Sequence, residues 1–253
     1  TDFTARQIAQ GLAGPLGQPV IVENRPPGVN QGEFVANALP DGHTLFVTGA
    51  VFWTYPILRK APYDVVRDFS PIALLEKSVN VVVVHPSVPA KSVRDLIALA
   101  KARPGELNYG SSGVGGTPHL AAELFKSMSD INIVHVPYKG SAPRLTALIS
   151  GEIQLTILDA GLAPPHVKSG RIRALAVTSA EPSALAPGLP TVAASGLAGY
   201  EAVGMTGIFA PSKTPAPIIN RLNQEIVRLL NRAEVKERFL NAGGEVEGGS
   251  PQA

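Results

Sequence analysis

The apolar positions change their spacing several times along the chain. At the start Phe3, Ile8, Leu12 and Leu16 recur at helical spacing, with Asp2 placed to cap the helix and Gly17 to stop it. "PVIVEN" then reads as a short buried strand. A second helix is predicted over residues 32–39, ended by Pro40-Asp41-Gly42, and "HTLFVTGA" reads as a strand running into a loop of small residues. "VNVVVVHP" is continuously apolar at strand length, as in a strand buried on both faces. "SVRDLIALAKARPG" returns to the helical period: Ser92 caps it, Val93, Leu96, Ile97 and Ala100 form its face, and Pro104-Gly105 ends it.

From residue 107 the rhythm becomes regular. The strands "LNYGS", "INIVHVP", "IQLTILDAG" and "IRALAVT" alternate with helices at "TPHLAAELFKSMS", "APRLTALISG" and residues 164–169. "VGMTGIFAP" is a further strand. "APIINRLNQEIVRLLN", the most clearly amphipathic helix in the chain, and "AEVKERFLNAG" follow it. Strands alternating with helices predict an α/β protein with mostly parallel sheets, and the units within residues 108–178 are short enough for right-handed βαβ crossovers. Residues 179–202, rich in proline, glycine and small residues, read as a long ordered loop. The chain is expected to cross between two sheets near Leu107 and near Val203. That gives two lobes, residues 1–107 with 204–253 and residues 108–203, with a cleft between them.

Composition narrows the function. The 253 residues are 45% hydrophobic and 17% charged, a globular balance. A net charge of +2 with scattered basic residues speaks against a nucleic-acid or acidic partner surface. The absence of cysteine excludes disulfides and thiolate metal sites, yet leaves an oxidising compartment open. No apolar stretch reaches spanning length. The chain opens directly in a helical pattern, so either a signal peptide has been removed or the N-terminus is not the natural one.

The chemistry concentrates in "GSSGVGGTP", residues 110–118, between a strand and a helix. Thr117 is a good N-cap and Pro118 suits the first helical position. Backbone N–H groups at a helix start, free of bulky side chains, form an anion site, to which Ser111, Ser112 and Thr117 add hydroxyls. The phosphate-loop pattern lacks its lysine, and the dinucleotide pattern fails because Pro118 stands where its third glycine belongs. A carboxylate fits better than a nucleotide. Ser112 as a nucleophile would need glycine at position 114, where Val114 stands. His43, His85, His119, His135 and His166 show no metal-binding spacing. Three other strand-end loops are candidates: residues 48–50; "VPYKGSAP", where Lys139 faces either an acid or solvent; and "LDAGLAPPH", where Asp159 either holds an amine or orders its loop.

"QPVIVENRPPG", "PDGHTLFV", "YDVVRDFSPIALL", "NYGSSGVGGTPHLAAELFK", "VPYKGSAPRLTALISGEIQL", "RIRALAVTS" and "GLPTVAASGL", in this order, resemble the extracytoplasmic solute receptors of tripartite tricarboxylate transporters, the Bug family. The resemblance covers nearly the whole chain. It implies a periplasmic binding protein of type II architecture whose two α/β lobes close on a small ligand. It also implies a periplasmic location, a monomer, no cofactor, no catalysis, and membrane subunits of the transporter as partners. Family ligands are di- and tricarboxylates such as citrate, acidic amino acids, or aromatic and related compounds, with the carboxylate held by backbone groups and ordered water.

Carried over by position, first-lobe contacts come from Thr1, Asp2, Gly49 and Ala50. Second-lobe contacts come from Ser111, Ser112, Gly113, Thr117, Lys139 or Gly140, Asp159 and Ala160. The chain departs from the family pattern at its two ends and at two places within. The family leads one to expect a strand and a glycine-rich loop ahead of Thr1 and a helix after "GGSP", "PPGVNQGEFVA" holds less glycine than usual, and Phe52-Trp53 is placed to reshape the first lobe. Two other classes share features of the sequence: a serine-dependent hydrolase using Ser112, which needs a base beside it, and an effector-sensing domain, which needs an attached basic DNA-binding segment.

Overall fold

The computed structural model describes residues 1–25 and 30–251. In chain order the elements are α1 (Asp2–Leu16), α2 (Asn30–Ala36), β1 (Phe46–Thr48), α3 (Val51–Leu58), β2 (Phe69–Ser78), β3 (Asn80–Val84), α4 (Val93–Ala102), β4 (Asn108–Ser111) and α5 (Thr117–Ser129). They continue with β5 (Val134–Pro137), α6 (Ser141–Ser150), β6 (Leu155–Asp159), a short 3-10 turn, α7 (Pro164–Lys168), β7 (Arg173–Val177), β8 (Gly204–Pro211), α8 (Ala216–Leu230), α9 (Ala233–Asn241) and β9 (Gly244–Val246). The chain divides into two compact units, Thr1–Lys77 with Met205–Ala253, and Ser78–Gly204. Residues 78–107 therefore belong with the second unit, not with the first lobe as the sequence suggests. The reason is β3, which lies inside the second unit's sheet between β6 and β7.

In the first unit the sheet order is β1-β8-β2-β9, with β1 antiparallel to β8. The apolar stripe of α8, Leu222, Ile226 and Leu229, packs with Ile8 and Leu12 of α1, Ile72 and Leu75 of β2, and Phe239 of α9. Gly11 permits the close approach of α1, because a Cβ there would overlap the Leu229 side chain. A separate aromatic cluster gathers on Phe52, which stacks on Tyr63 at 5.3 Å and meets Phe69 edge-on at 4.7 Å. Tyr63 Oη, within this cluster, donates to the Phe52 carbonyl at 3.0 Å.

Several local expectations change here. Thr1, not Asp2, occupies the N-cap, and the Asp2 carboxylate instead accepts from Asn24 Nδ2 at 2.7 Å and Arg6 Nε at 3.1 Å. Gly17 does end α1, at φ 66°. "PVIVEN" forms no strand. Residues 20–25 and 44–48 instead line a common cavity of about 550 Å³ over Ala5, Ile8 and Leu12, with no ladder between them, and Ile21 is 86% exposed. The helix predicted at 32–39 forms as α2. Residues 26–29, which include part of "PPGVNQGEFVA", lie outside the described residues. β2, α3 and β9 were not predicted. The apolar pattern of β2 is broken by Pro71 and the Glu76-Lys77 pair, although Ile72 and Leu75 are fully buried.

In the second unit the order is β5-β4-β6-β3-β7. β4 runs parallel to β5 and β6, but β3 runs antiparallel to both β6 and β7, so the sheet is mixed rather than mostly parallel. Each residue of β3 is buried. Val82 and Val84 join one core cluster with Leu96, Tyr109, Phe125 and Ile157, while Val81 and Val83 join another with Leu148, Ile153 and Leu158. A two-sided strand thus accounts for the continuous apolar run. Ser92 caps α4 by accepting from Asp95 N–H at 3.1 Å. The stretch 179–202 is ordered by Val192 N–H to the Val177 carbonyl (2.9 Å), Ala202 N–H to Thr178 (2.8 Å) and Tyr200 Oη to Ala121 (2.9 Å). Among the described residues, no helix is long and apolar enough to cross a membrane.

Candidate functional site

The parallel strands β4, β5 and β6 of the second unit end at one edge of the sheet, and β3, running the other way, begins there with Asn80 opposite Asp159. Loops at the carboxyl ends of parallel strands are where such sheets bind ligands. The glycine-rich loop fills residues 112–116. Gly113 has φ 128° and Gly115 φ 83°, backbone that disfavours any side chain. A Cβ on Gly113 would meet no atom within 4 Å, so this glycine is there for conformation and faces open space. Gly116 holds the N-cap of α5, one residue before the predicted Thr117, which is instead the first helical residue. No cap side chain covers this end of the helix, and although Pro118 offers no N–H, the positive dipole end stays open to an anion.

Beneath the loop lies a polar stack that the sequence did not suggest. Ser111 is fully buried, and its Oγ lies 2.7 Å from His135 Nε2 while accepting Gly113 N–H at 3.2 Å. The His135 ring stacks on Tyr109 (4.9 Å, 20°) and approaches the His119 ring at 4.5 Å. His119 Nδ1 in turn accepts Gly115 N–H at 3.3 Å. Tyr109 Oη donates to Glu123, which also pairs with Lys126 at 3.5 Å. Burial first, and then His119, hold His135 below its ordinary value of 6.5, with Glu123 opposing. Burial and the bond to Glu123 push the Tyr109 phenol up. The serine that meets a histidine is therefore buried Ser111. The half-buried Ser112 makes no side-chain hydrogen bond among the described residues.

The other loops close around this edge. Tyr138 N–H donates to the Ser111 carbonyl at 2.9 Å, tying the β5 loop to the glycine-rich loop. Lys139 is exposed, and Gly140, at φ 103°, caps α6 with no atom within 4 Å of a would-be Cβ. Asp159 ends β6 without a side-chain capping bond, while Ala160 is buried and its N–H donates to Val79 at 2.9 Å. The edge thus gathers Ser112, Gly113, Thr117, Lys139, Gly140 and Asp159, with Ser111 and Ala160 buried in its support. In the first unit, Thr1 and Asp2 line the cavity together with Thr48; Gly49 and Ala50 follow at the start of α3, where a Cβ on Gly49 would lie 3.3 Å from the Met205 carbonyl.

Two further residues at the second unit's edge escaped the sequence reading. Arg144 is fully buried; Nη1 donates to the Ile157 carbonyl at 2.8 Å, while Nε and Nη2 have no hydrogen-bond partner among the described residues. Burial lowers its pKa, opposed by Asp159. Gly110 makes room for it, since a Cβ there would lie 3.1 Å from Arg144 Cγ and overlap Ile153. Asn80 Oδ1, at the start of β3, is also buried without a hydrogen-bond partner among the described residues. The available signal was spacing: Arg144 shares the buried stripe of α6 with Ala147 and Leu148.

Two α/β units, one carrying small-residue loops at the carboxyl edge of its sheet, define a solute-binding protein fold. The chain matches the tripartite tricarboxylate transporter family receptor model over residues 4–253, and it belongs to that family. Protein BugT of Bordetella pertussis is 34% identical across 96% of this chain and 76% of its own length. Among solved structures, R. palustris Rpa4515 with adipate is 38% identical, with a TM-score of 0.87 over 100% of this chain and 86% of that one. MatC (Rpa3494) from Rhodopseudomonas palustris with bound malate is 29% identical, with a TM-score of 0.81 over 97% of this chain and 85% of that one.

Proposed function

We propose that this chain is a periplasmic receptor, without catalytic activity, that captures a small organic carboxylate and delivers it to the membrane subunits of a tripartite tricarboxylate-type transporter. It acts as a monomer. The observation that carries the reading is the loop at residues 112–116: two glycines at positive φ, open space above Gly113, and an uncapped helix start. Such a loop presents backbone donors to an anion without demanding a lysine. The structures of Rpa4515 with adipate and MatC with malate support a dicarboxylate. In this reading Ser112, Gly113, Thr117, Lys139, Gly140 and Asp159 contribute from the second unit, and Thr1, Asp2, Gly49 and Ala50 from the first.

The test is a thermal-shift screen of mono-, di- and tricarboxylates, followed by calorimetry. A ligand at one hundred times its Kd raises stability by about 2.7 kcal/mol. Converting the bound carboxylate to its amide is expected to weaken binding by about 1–3 kcal/mol, because buried donors lose an acceptor. Equal affinity for acid and amide overturns the carboxylate assignment, and turnover of an ester or amide that Ser112→Ala abolishes overturns the receptor reading.

A further inference from the structure

We infer that His119 and His135 are positioning residues of the glycine-rich loop, and that neutral His119, as the acceptor for Gly115 N–H, makes ligand capture weaken in mild acid. The inference rests on the proposed reading of that loop as the carboxylate site. The loop is held at both ends by an imidazole. At its start, Ser111 Oγ lies 2.7 Å from His135 Nε2; at its end, Gly115 N–H donates to His119 Nδ1 at 3.3 Å. Between these anchors stands Gly113, which has no side chain and meets nothing within 4 Å of its would-be Cβ, so packing does little to hold the loop's shape. The two ring contacts anchor the loop's ends, together with the Ser111 Oγ bonds to Gly113 and Tyr138 N–H to the Ser111 carbonyl.

The chemistry of the second anchor fixes a protonation state. An imidazole nitrogen that accepts an N–H must carry a lone pair, so His119 is neutral with its proton on Nε2. A proton on Nδ1 turns the acceptor into a donor aimed at another donor, and the Gly115 bond is lost. The two ring centroids are 4.5 Å apart, so His119 makes charging His135 harder. The groups facing the pair are Glu123 and Lys126 from α5 and Tyr109 from β4. Glu123 favours a charged ring and Lys126 opposes it. The carboxylate is already engaged by Tyr109 and Lys126, which limits its help. Acid therefore removes the Gly115 anchor directly and, once both rings are charged, forces them apart.

The test is calorimetric titration of the full chain with adipate between about pH 7.5 and about pH 5.5, for the wild type, His119→Asn and His119→Phe. Asparagine Oδ1 stands close to where Nδ1 stands and does not titrate. The wild type is expected to lose about tenfold or more in affinity across this range; His119→Asn stays within about threefold of the wild type at the upper pH and keeps a shallower slope, which reports the ligand's own protonation; His119→Phe binds about tenfold more weakly throughout. A wild-type profile that is flat, or parallel to that of His119→Asn, overturns the inference. A second measurement on the empty wild-type protein does not depend on the ligand or on the variants folding. By NMR, the Gly115 amide shift and exchange rate should follow the titration of the His119 ring; a Gly115 amide indifferent to His119 overturns the inference. If the amide follows His119 while adipate binds at no pH, the anchor stands and the carboxylate reading falls.

Discussion

"PVIVEN" and "VNVVVVHP" look alike in sequence, and the molecule treats them oppositely. The second becomes β3, with Val81, Val83 and Val84 at 0% exposure and ladders on both sides. The first runs along the edge of a cavity without a ladder, and its Ile21 is 86% exposed. The difference lies in the neighbours. A β-strand must place its backbone donors and acceptors on adjacent chains, and β6 and β7 supply them for β3. Apolar content makes a segment eligible for a core; a hydrogen-bonding partner on each side makes it a strand.

The largest test of this contrast is in the second unit's core. Phe125→Ala, in the cluster that Val82 and Val84 share, is expected to cost about 3–5 kcal/mol in chemical denaturation. Next comes a matched pair. Val82→Ala, in the two-sided strand, should cost about 1.5–3 kcal/mol, whereas Ile21→Ala should stay within about 0.5 kcal/mol. Equal losses from Val82 and Ile21 would mean that residues 20–25 are buried in solution, and the contrast would collapse.

A third test compares two neighbours in the glycine-rich loop. Gly113→Ala forces a side chain into φ 128° and should destabilise by about 1–3 kcal/mol even with open space around it. Ser112→Ala removes a hydroxyl without a side-chain partner and should fall within about 0.5 kcal/mol, while still affecting ligand affinity.

The smallest effect concerns pH. His135 is held below its ordinary 6.5 by burial and by His119. As pH falls through that value, the unfolded chain takes up a proton that the folded chain resists. Stability from this residue is therefore full above 6.5 and is lost progressively toward its lower folded value. The melting temperature should fall as pH drops through this window, and His135→Gln should reduce the slope. An unchanged slope would rule out His135 as the source of acid sensitivity in this window.

Much of this was legible because it is local. The Ser92 cap, the Gly17 stop, the stripe of α8 and the strand-loop-helix at residues 108–129 are each specified within a few residues. What escaped depends on contacts distant in sequence. Nothing near Val81 says that it will pair with Leu158 and Val177, so neither the antiparallel direction of β3 nor the position of the first crossing could be read. Pro71 and Glu76 hid β2, although Glu76 is used by Thr4 and Thr206, whose hydroxyls donate to it at 2.9 and 3.0 Å. At the candidate site, the glycines and hydroxyls were visible as a pattern. The histidine anchors were not, because His119 and His135 meet only once β4, β5 and α5 have packed.

The two-sided burial of β3 also sets a timetable for synthesis. Val84 leaves the ribosome roughly ninety residues before Arg173, its neighbour-to-be on the β7 side of the sheet. At about 5–20 residues per second, that is a wait of roughly five to twenty seconds. Until β6 emerges, roughly seventy residues after Val84, an uncharged valine run of high β-propensity has neither ladder filled, the kind of segment from which intermolecular sheets nucleate. His85-Pro86 ends the run at once, and a proline in that place limits how far a stray pairing can extend. The strand that is best protected in the finished protein is the one most in need of shelter while the chain is being made.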